Sequence, residues 1–180
     1  MSNQILAKRY AKALLTLGRE DGNFEQYGEE LHGLVTFWES ETEFADAASN
    51  PLYAKENRKT IVNAVVDKME LSPVFKSLLD LMVEKNRLAI IPEVGIFYQK
   101  LLDELNNISR AKVTSATPLS EEAMESIKAS LEKTTGSNII VEAEVDPELI
   151  GGVVARVGDL VLDGSVRNQL TSIKETLIKG

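Results

Sequence analysis

The spacing of apolar residues changes character once along this chain, near Asn106-Asn107, and that switch limits the folds open to it. Up to residue 108 apolar side chains recur every third or fourth position, the period of an amphipathic helix. Beyond it they alternate in short runs such as Ile139, Val141, Ala143 and Val145, the period of a half-buried strand. The pattern predicts an all-α N-terminal helical bundle of about six helices over residues 1–108, followed by a small α+β C-terminal domain over 109–180.

Two helices in the first half carry more apolar surface than one core needs. Over residues 3–20, Ala13, Leu6, Leu17, Tyr10, Leu14, Ala7, Ala11 and Leu15 fill an arc of about 200°, against about 100° for a helix lying on one core. The helix from Pro73 to Asn86 repeats this through Leu81, Val74, Leu78, Met82, Phe75, Leu79 and Val83. Such arcs mean either burial on two sides within the bundle or a stripe awaiting a partner. Between these two lie predicted helices at 24–39, 42–48 and 55–69, and Pro92 is expected to open a sixth. Ser72 is the expected cap of the Pro73 helix, with proline at its first position. Glu84-Lys85-Asn86-Arg87 reads as a polar helix end, open to solvent or to a partner.

In the second half the expected order is β-α-β-β-β-α. A weak strand at 110–116 precedes a helix begun by Thr117-Pro118-Leu119-Ser120, faced inward by Met124, Ile127 and Leu131, and ended by Gly136. Gly151-Gly152 leads a hairpin turning at Gly158-Asp159. Asp163-Gly164-Ser165 then reverses the chain into a last helix with Val166, Leu170, Ile173 and Leu177 on one face. Gly151-Gly152 is no phosphate loop, since it precedes a strand and lacks the lysine of such loops; a bend or close backbone approach explains it better. Asp159 and Asp163 form a candidate carboxylate pair for acid–base or magnesium chemistry, set against turn and cap roles.

Little else in the chain offers chemistry. With no cysteine, disulfides, thiolate zinc sites and cysteine nucleophiles are excluded. His32 is the only histidine and sits on a predicted helix, too little for a triad or a zinc site. No catalytic residue, cofactor or metal is expected. The net charge of −8 is spread as −5 over residues 1–109 and −3 over 110–180. The absence of any basic block argues against nucleic acid and anionic lipid as partners. The chain opens on a helical pattern with no apolar leader and holds no run approaching a membrane span, so no direct membrane insertion is expected and a cytoplasmic origin is the simplest reading. Two competing functions are an RNA-binding helical adaptor, which the acidic balance opposes, and a small hydrolase using Asp159 and Asp163.

Several segments, taken together, resemble a known family. Ala7-Lys-Arg-Tyr-Ala-Lys-Ala-Leu14, Asn50-Pro51-Leu52, Leu81-Met-Val-Glu-Lys-Asn86-Arg87-Leu88 with Ile91-Pro92-Glu93, and Gly151 through Leu170 are similar in order and spacing to the delta subunit of bacterial F-type ATP synthase, related to the mitochondrial oligomycin-sensitivity-conferring protein. The resemblance implies a non-catalytic stator subunit. It implies that the helical domain binds the N-terminal segment of the alpha subunit in a groove between its first and fifth helices, here 3–20 and 73–86. It implies that the C-terminal domain meets the C-terminal end of the b subunits, with Gly151, Gly152, Gly158, Asp159, Asp163, Gly164 and Ser165 as a stalk-side structural motif. Ala7, Tyr10, Ala11, Leu14, Phe75, Leu78, Leu81 and Met82 are then the candidate groove residues. The subunit would work at the cytoplasmic face of the bacterial inner membrane, coupling ion flow to ATP synthesis, with the ion, H⁺ or Na⁺, chosen by other subunits.

Overall fold

The computed structural model of the chain describes residues 3–147 and 149–179. It divides into two compact units, Met1–Leu102 and Asp103–Gly180. The division falls within the last turns of a helix rather than at the expected 108/109.

The first unit is helical. It comprises α1 (Asn3–Asp21), α2 (Phe24–Ser40), α3 (Thr42–Ser49), α4 (Lys55–Lys68), α5 (Pro73–Glu84), a 3₁₀ turn at Leu88–Ile90 and most of α6 (Ile91–Leu105). One face of each long helix meets in a continuous core that includes Leu14, Leu34, Phe75, Met82, Val83 and Val94. Tyr98 of α6 is 1% exposed, and its hydroxyl donates to the Phe24 carbonyl at 2.8 Å, which satisfies a polar atom that burial would otherwise penalise. Desolvation raises its pKa.

The start of α5 departs from the sequence expectation. Ser72 holds the cap position in extended backbone, and Pro73 follows at the first turn, but the Ser72 side chain makes no cap hydrogen bond. Its Oγ is buried without a partner, while its backbone N–H donates to Glu30 Oε2 of α2 at 3.0 Å. A tertiary contact thus anchors this helix end where a local cap was expected. Likewise α6 begins at Ile91 rather than Pro92, fed by the 3₁₀ turn.

The second unit contains β1 (Ile108–Ser115), α7 (Glu121–Thr135), β2 (Asn138–Val145), β3 (Val153–Val157), β4 (Leu160–Asp163) and α8 (Val166–Lys179). This is the expected β-α-β-β-β-α order. The sheet runs β2-β1-β3-β4. β1 and β2 are parallel, joined by the α7 crossover, and the other two pairs are antiparallel. Val113 pairs with Ala143 on one side and Ala155 on the other. The core is small: Ala111, Val113, Leu131, Ile139, Ala155 and Val157. Ser120 caps α7 by accepting from the Ala123 N–H at 3.3 Å, and Gly136 closes it at φ 71°. Asp103, 8% exposed, takes a two-pronged contact from the exposed Arg110, Nε to Oδ2 at 2.6 Å and Nη2 to Oδ1 at 3.3 Å, so the buried carboxylate has a counter-charge that reaches it from the surface.

Cover thins towards the sheet's edges. Along β2 Ile139 is buried, Val141 half-buried, and Val145 45% exposed. All four residues of β4 are exposed. The face expected for α8 is only partly inward: Val166 is half-buried, but Leu170 is 57% exposed. The side chains of Ile173 and Leu177 lie outside the described residues.

Candidate functional site

The two wide apolar arcs resolve into two jobs. On α5 the arc splits down its length. Phe75, Leu79, Met82 and Val83, on one side, are at most 2% exposed and belong to the bundle core. Leu81, Val74 and Leu78, on the other side, line an open groove. On α1, Ala7 and Ala11 are fully buried, whereas Ala13 and Leu17 face the groove together with Tyr10 and Leu14. A helix that forms both the wall of a core and the wall of a cleft needs an arc of twice the usual width.

The groove between α1 and α5 has a volume of about 690 Å³. Of the eight candidate residues, Tyr10, Leu14, Leu78 and Leu81 line it. Ala7, Ala11, Phe75 and Met82 stand behind it at 0–1% exposure, out of reach of a docked chain, because the side of each arc they occupy points into the bundle. Periodicity alone did not assign Ala13, Leu17, Pro73, Val74 and Ser77 to the site, although three of these belong to the two apolar arcs. Leu17 is 47% and Leu81 43% exposed, so sizeable apolar surface remains open to water in the groove.

Three cations also line the groove: Arg9, Lys85 and Arg87. Arg87 Nη1 donates to the Tyr10 hydroxyl at 3.2 Å and so ties the end of α5 to α1. Backbone geometry aims it there. Asn86 takes a left-handed conformation (φ 53°), and the Arg87 N–H bonds back to the Met82 carbonyl at 2.8 Å, closing α5 with a Schellman-like turn. Arg58 of α4, 1% exposed, supports that turn from within: Nη1 donates to Asn86 Oδ1 at 2.7 Å and Nε to the Ala48 carbonyl at 2.6 Å. Nothing in the local pattern marked Arg58, whose partners lie 10 and 28 residues away.

The glycine-rich element of the second unit is a brace. Gly152 has φ 84°, and a Cβ there would stand 2.3 Å from the Gly164 carbonyl oxygen and 2.9 Å from Ser165 Cα. The two chain segments touch backbone to backbone, with Gly164 N–H bonded to the Val153 carbonyl at 2.9 Å and Val166 N–H to the Gly151 carbonyl at 3.0 Å. Gly158 (φ 56°) and the exposed Asp159 form the turn between β3 and β4. Asp163 Oδ1 accepts from the Ser165 N–H at 2.9 Å, and Ser165 Oγ accepts from the Asn168 N–H at 3.2 Å, capping α8. Hydrogen bonding from Ser165 holds the Asp163 carboxyl below its ordinary value. The carboxylate that could have served acid–base chemistry is engaged in a turn. His32 is exposed on α2. Among the described residues no cluster of His, Cys, Asp and Glu could hold a metal ion.

These features, an open apolar groove in the helical unit and a backbone brace in the α+β unit that follows it in sequence, coincide with a family match over nearly the whole length. The model of the ATP synthase delta (OSCP) subunit family matches residues 6–177. The chain belongs to that family. It is similar to the ATP synthase subunit delta of Desulfosudis oleivorans, 47% identical over 180 residues, covering 100% of this chain and 98% of that one. The counterpart from Desulforapulum autotrophicum is also 47% identical with the same coverage. That from Syntrophobacter fumaroxidans is 45% identical, again over 100% and 98%. Among solved structures, a chain of the Toxoplasma gondii mitochondrial ATP synthase hexamer shares the fold, with a TM-score of 0.69 at 22% identity over 96% of this chain and 97% of that one. A delta (OSCP) subunit is a structural component of the ATP synthase peripheral stalk rather than a catalytic subunit. No helix among the described residues is long and apolar enough to cross a membrane.

Proposed function

We propose that this chain tethers the catalytic head of an F-type ATP synthase to its peripheral stalk. The groove between α1 and α5 takes the N-terminal segment of an alpha subunit as an amphipathic helix, while the unit from Asp103 onward engages the C-terminal end of the b subunits. Held at both ends, the head cannot turn with the central shaft, so torque driven by ion flow goes into ATP synthesis. In a bacterium this work is done at the cytoplasmic face of the inner membrane, as a peripheral member of the complex. The chain binds no cofactor and does no chemistry of its own.

The observation that carries this reading is the groove: Leu17, Leu78 and Leu81 offer apolar surface on two helices whose other sides already fill a core. Laying an amphipathic helix into such a groove removes that surface from water without disturbing the bundle. Residues 151–165 serve the stalk end as a frame, setting the hairpin and α8 in place. The test is titration of an alpha N-terminal peptide into the full chain, followed by amide chemical shifts. Shifts concentrated on α1 and α5 are expected, with Leu81→Ser weakening binding about tenfold or more, as truncating an interface anchor does. Shifts elsewhere, or unchanged affinity in Leu81→Ser, would sink the groove assignment.

A further inference from the structure

The groove's charge is one-ended, and this bears on how a chain lies in it. The inference rests on the docking reading above. Tyr10 and Arg87 are hydrogen-bonded, so they mark the same end of the groove. Arg9 adjoins Tyr10 in sequence and Lys85 lies two residues before Arg87, so all three lining cations gather at that end. Leu17 is seven residues further along α1, about 10 Å away, and Pro73 is twelve residues back along α5, about 18 Å away. The lining at that far end is apolar, and no carboxylate lines the groove at any point. Three cations in a lining without a carboxylate, on a chain of net charge −8, are a local reversal of sign. One of the three is also held in place. Arg87 is set by the left-handed turn at Asn86, which buried Arg58 grips, and by its contact with Tyr10. The nearest carboxylate in sequence, Glu84, pairs with Lys59 of α4 at 2.9 Å and is not part of the groove lining.

We infer that the cation cluster Arg9–Lys85–Arg87 selects a helical segment with carboxylates at one end of its apolar stripe and fixes its direction in the groove. The apolar walls supply affinity for either orientation. The cations distinguish the two, because a reversed segment places its acids over Leu17 and Val74 and leaves the cations unmatched. The carboxylates of the correct segment meet Arg9, Lys85 and Arg87 at the Tyr10 end. If these carboxylates stand in the segment's last turn, its own dipole adds to the match; if they stand in the first turn, the charges act against it.

The experiment uses the full chain and an alpha N-terminal peptide. Affinity is measured for the wild type, for Arg9→Gln/Lys85→Gln, which spares the Arg87–Tyr10 contact, for the triple variant including Arg87→Gln, and for Leu81→Ser. At low salt (about 50 mM) the triple variant should bind about tenfold more weakly and the double variant less so, with the gap closing near 0.5 M salt as screening takes over. A nitroxide on the peptide's acidic end should broaden the Lys85 and Arg87 amides, and one on the other end those of Leu17 and Val74. If Leu81→Ser loses binding while both charge variants bind as the wild type does, the inference is overturned and the groove stands. It is overturned equally if the alpha segment carries no acidic end or the nitroxide pattern is reversed. If Leu81→Ser binds unchanged, the docking reading itself falls.

Discussion

Replacing Gly152 by alanine tests the brace more sharply than any change at its charged residues. Two effects add at this position. The backbone sits at φ 84°, where an L side chain is strained by about 1–2 kcal/mol. The new Cβ would also lie 2.3 Å from the Gly164 carbonyl oxygen and 2.9 Å from Ser165 Cα, both backbone atoms. Relief requires moving the strap that carries the Gly164 N–H to Val153 bond and the start of α8. Overpacking of that kind costs a further 1–3 kcal/mol or so, for a total of about 3 kcal/mol. Gly158→Ala is the internal control. It meets the same kind of strain at φ 56° but has no atom within 4 Å of the added carbon, so only about 1 kcal/mol is lost. Amide hydrogen exchange on the full chain reads both. Gly152→Ala should speed exchange across β3, β4 and the start of α8 far more than Gly158→Ala, with α1 to α5 unchanged in each. Equal effects from the two alanines, or a Gly152→Ala protein with wild-type protection, would refute the backbone-contact argument.

Two further outcomes follow from hydroxyls and carboxylates. Ser72→Ala should cost nothing or slightly stabilise, since the Ser72 Oγ is buried without a partner, whereas Ser165→Ala should lose about 1 kcal/mol with the α8 cap; thermal melts of the two variants compare them directly. The Asp163 carboxyl is held below its ordinary value of 3.8 in the folded chain, so the stability it contributes is present above that value and is lost as pH falls through it towards the lower folded value. Asp163→Asn should therefore lower the melting temperature near neutrality, with the gap to wild type shrinking below about pH 4; a gap independent of pH would show that the carboxylate charge plays no part.

The groove and the core are one feature in the sequence. Periodicity gave each helix its apolar arc and its width, because the 3.6-residue repeat is a local property of the backbone. It could not divide that arc. Whether Met82 or Leu78 faces inward depends on where α2, α4 and α6 pack, and those positions are set by residues far along the chain. Hence Phe75 and Met82, named for the groove, lie in the core, and Leu17 and Val74, unnamed, line the cleft. The Ser72 hydroxyl makes no cap bond, and the contact at this helix end comes instead from Glu30 of another helix to the Ser72 backbone N–H. The Ser120 and Ser165 caps, by contrast, depend on the chain within three residues and form as their local sequence predicts.

What the sequence alone determined is therefore local: helix and strand periods, the turns at Gly136, Gly152 and Gly158, the exclusion of cysteine chemistry, and motifs specific enough to indicate the family. The pairing of distant polar groups was decided only by tertiary structure. Arg87 reaches Tyr10 across 77 residues of chain, and Arg58 reaches Asn86 across 28. No short-range signal foretells such contacts, since each arises when separately folded helices bury their apolar faces together and bring whatever polar groups stand at their rims into reach.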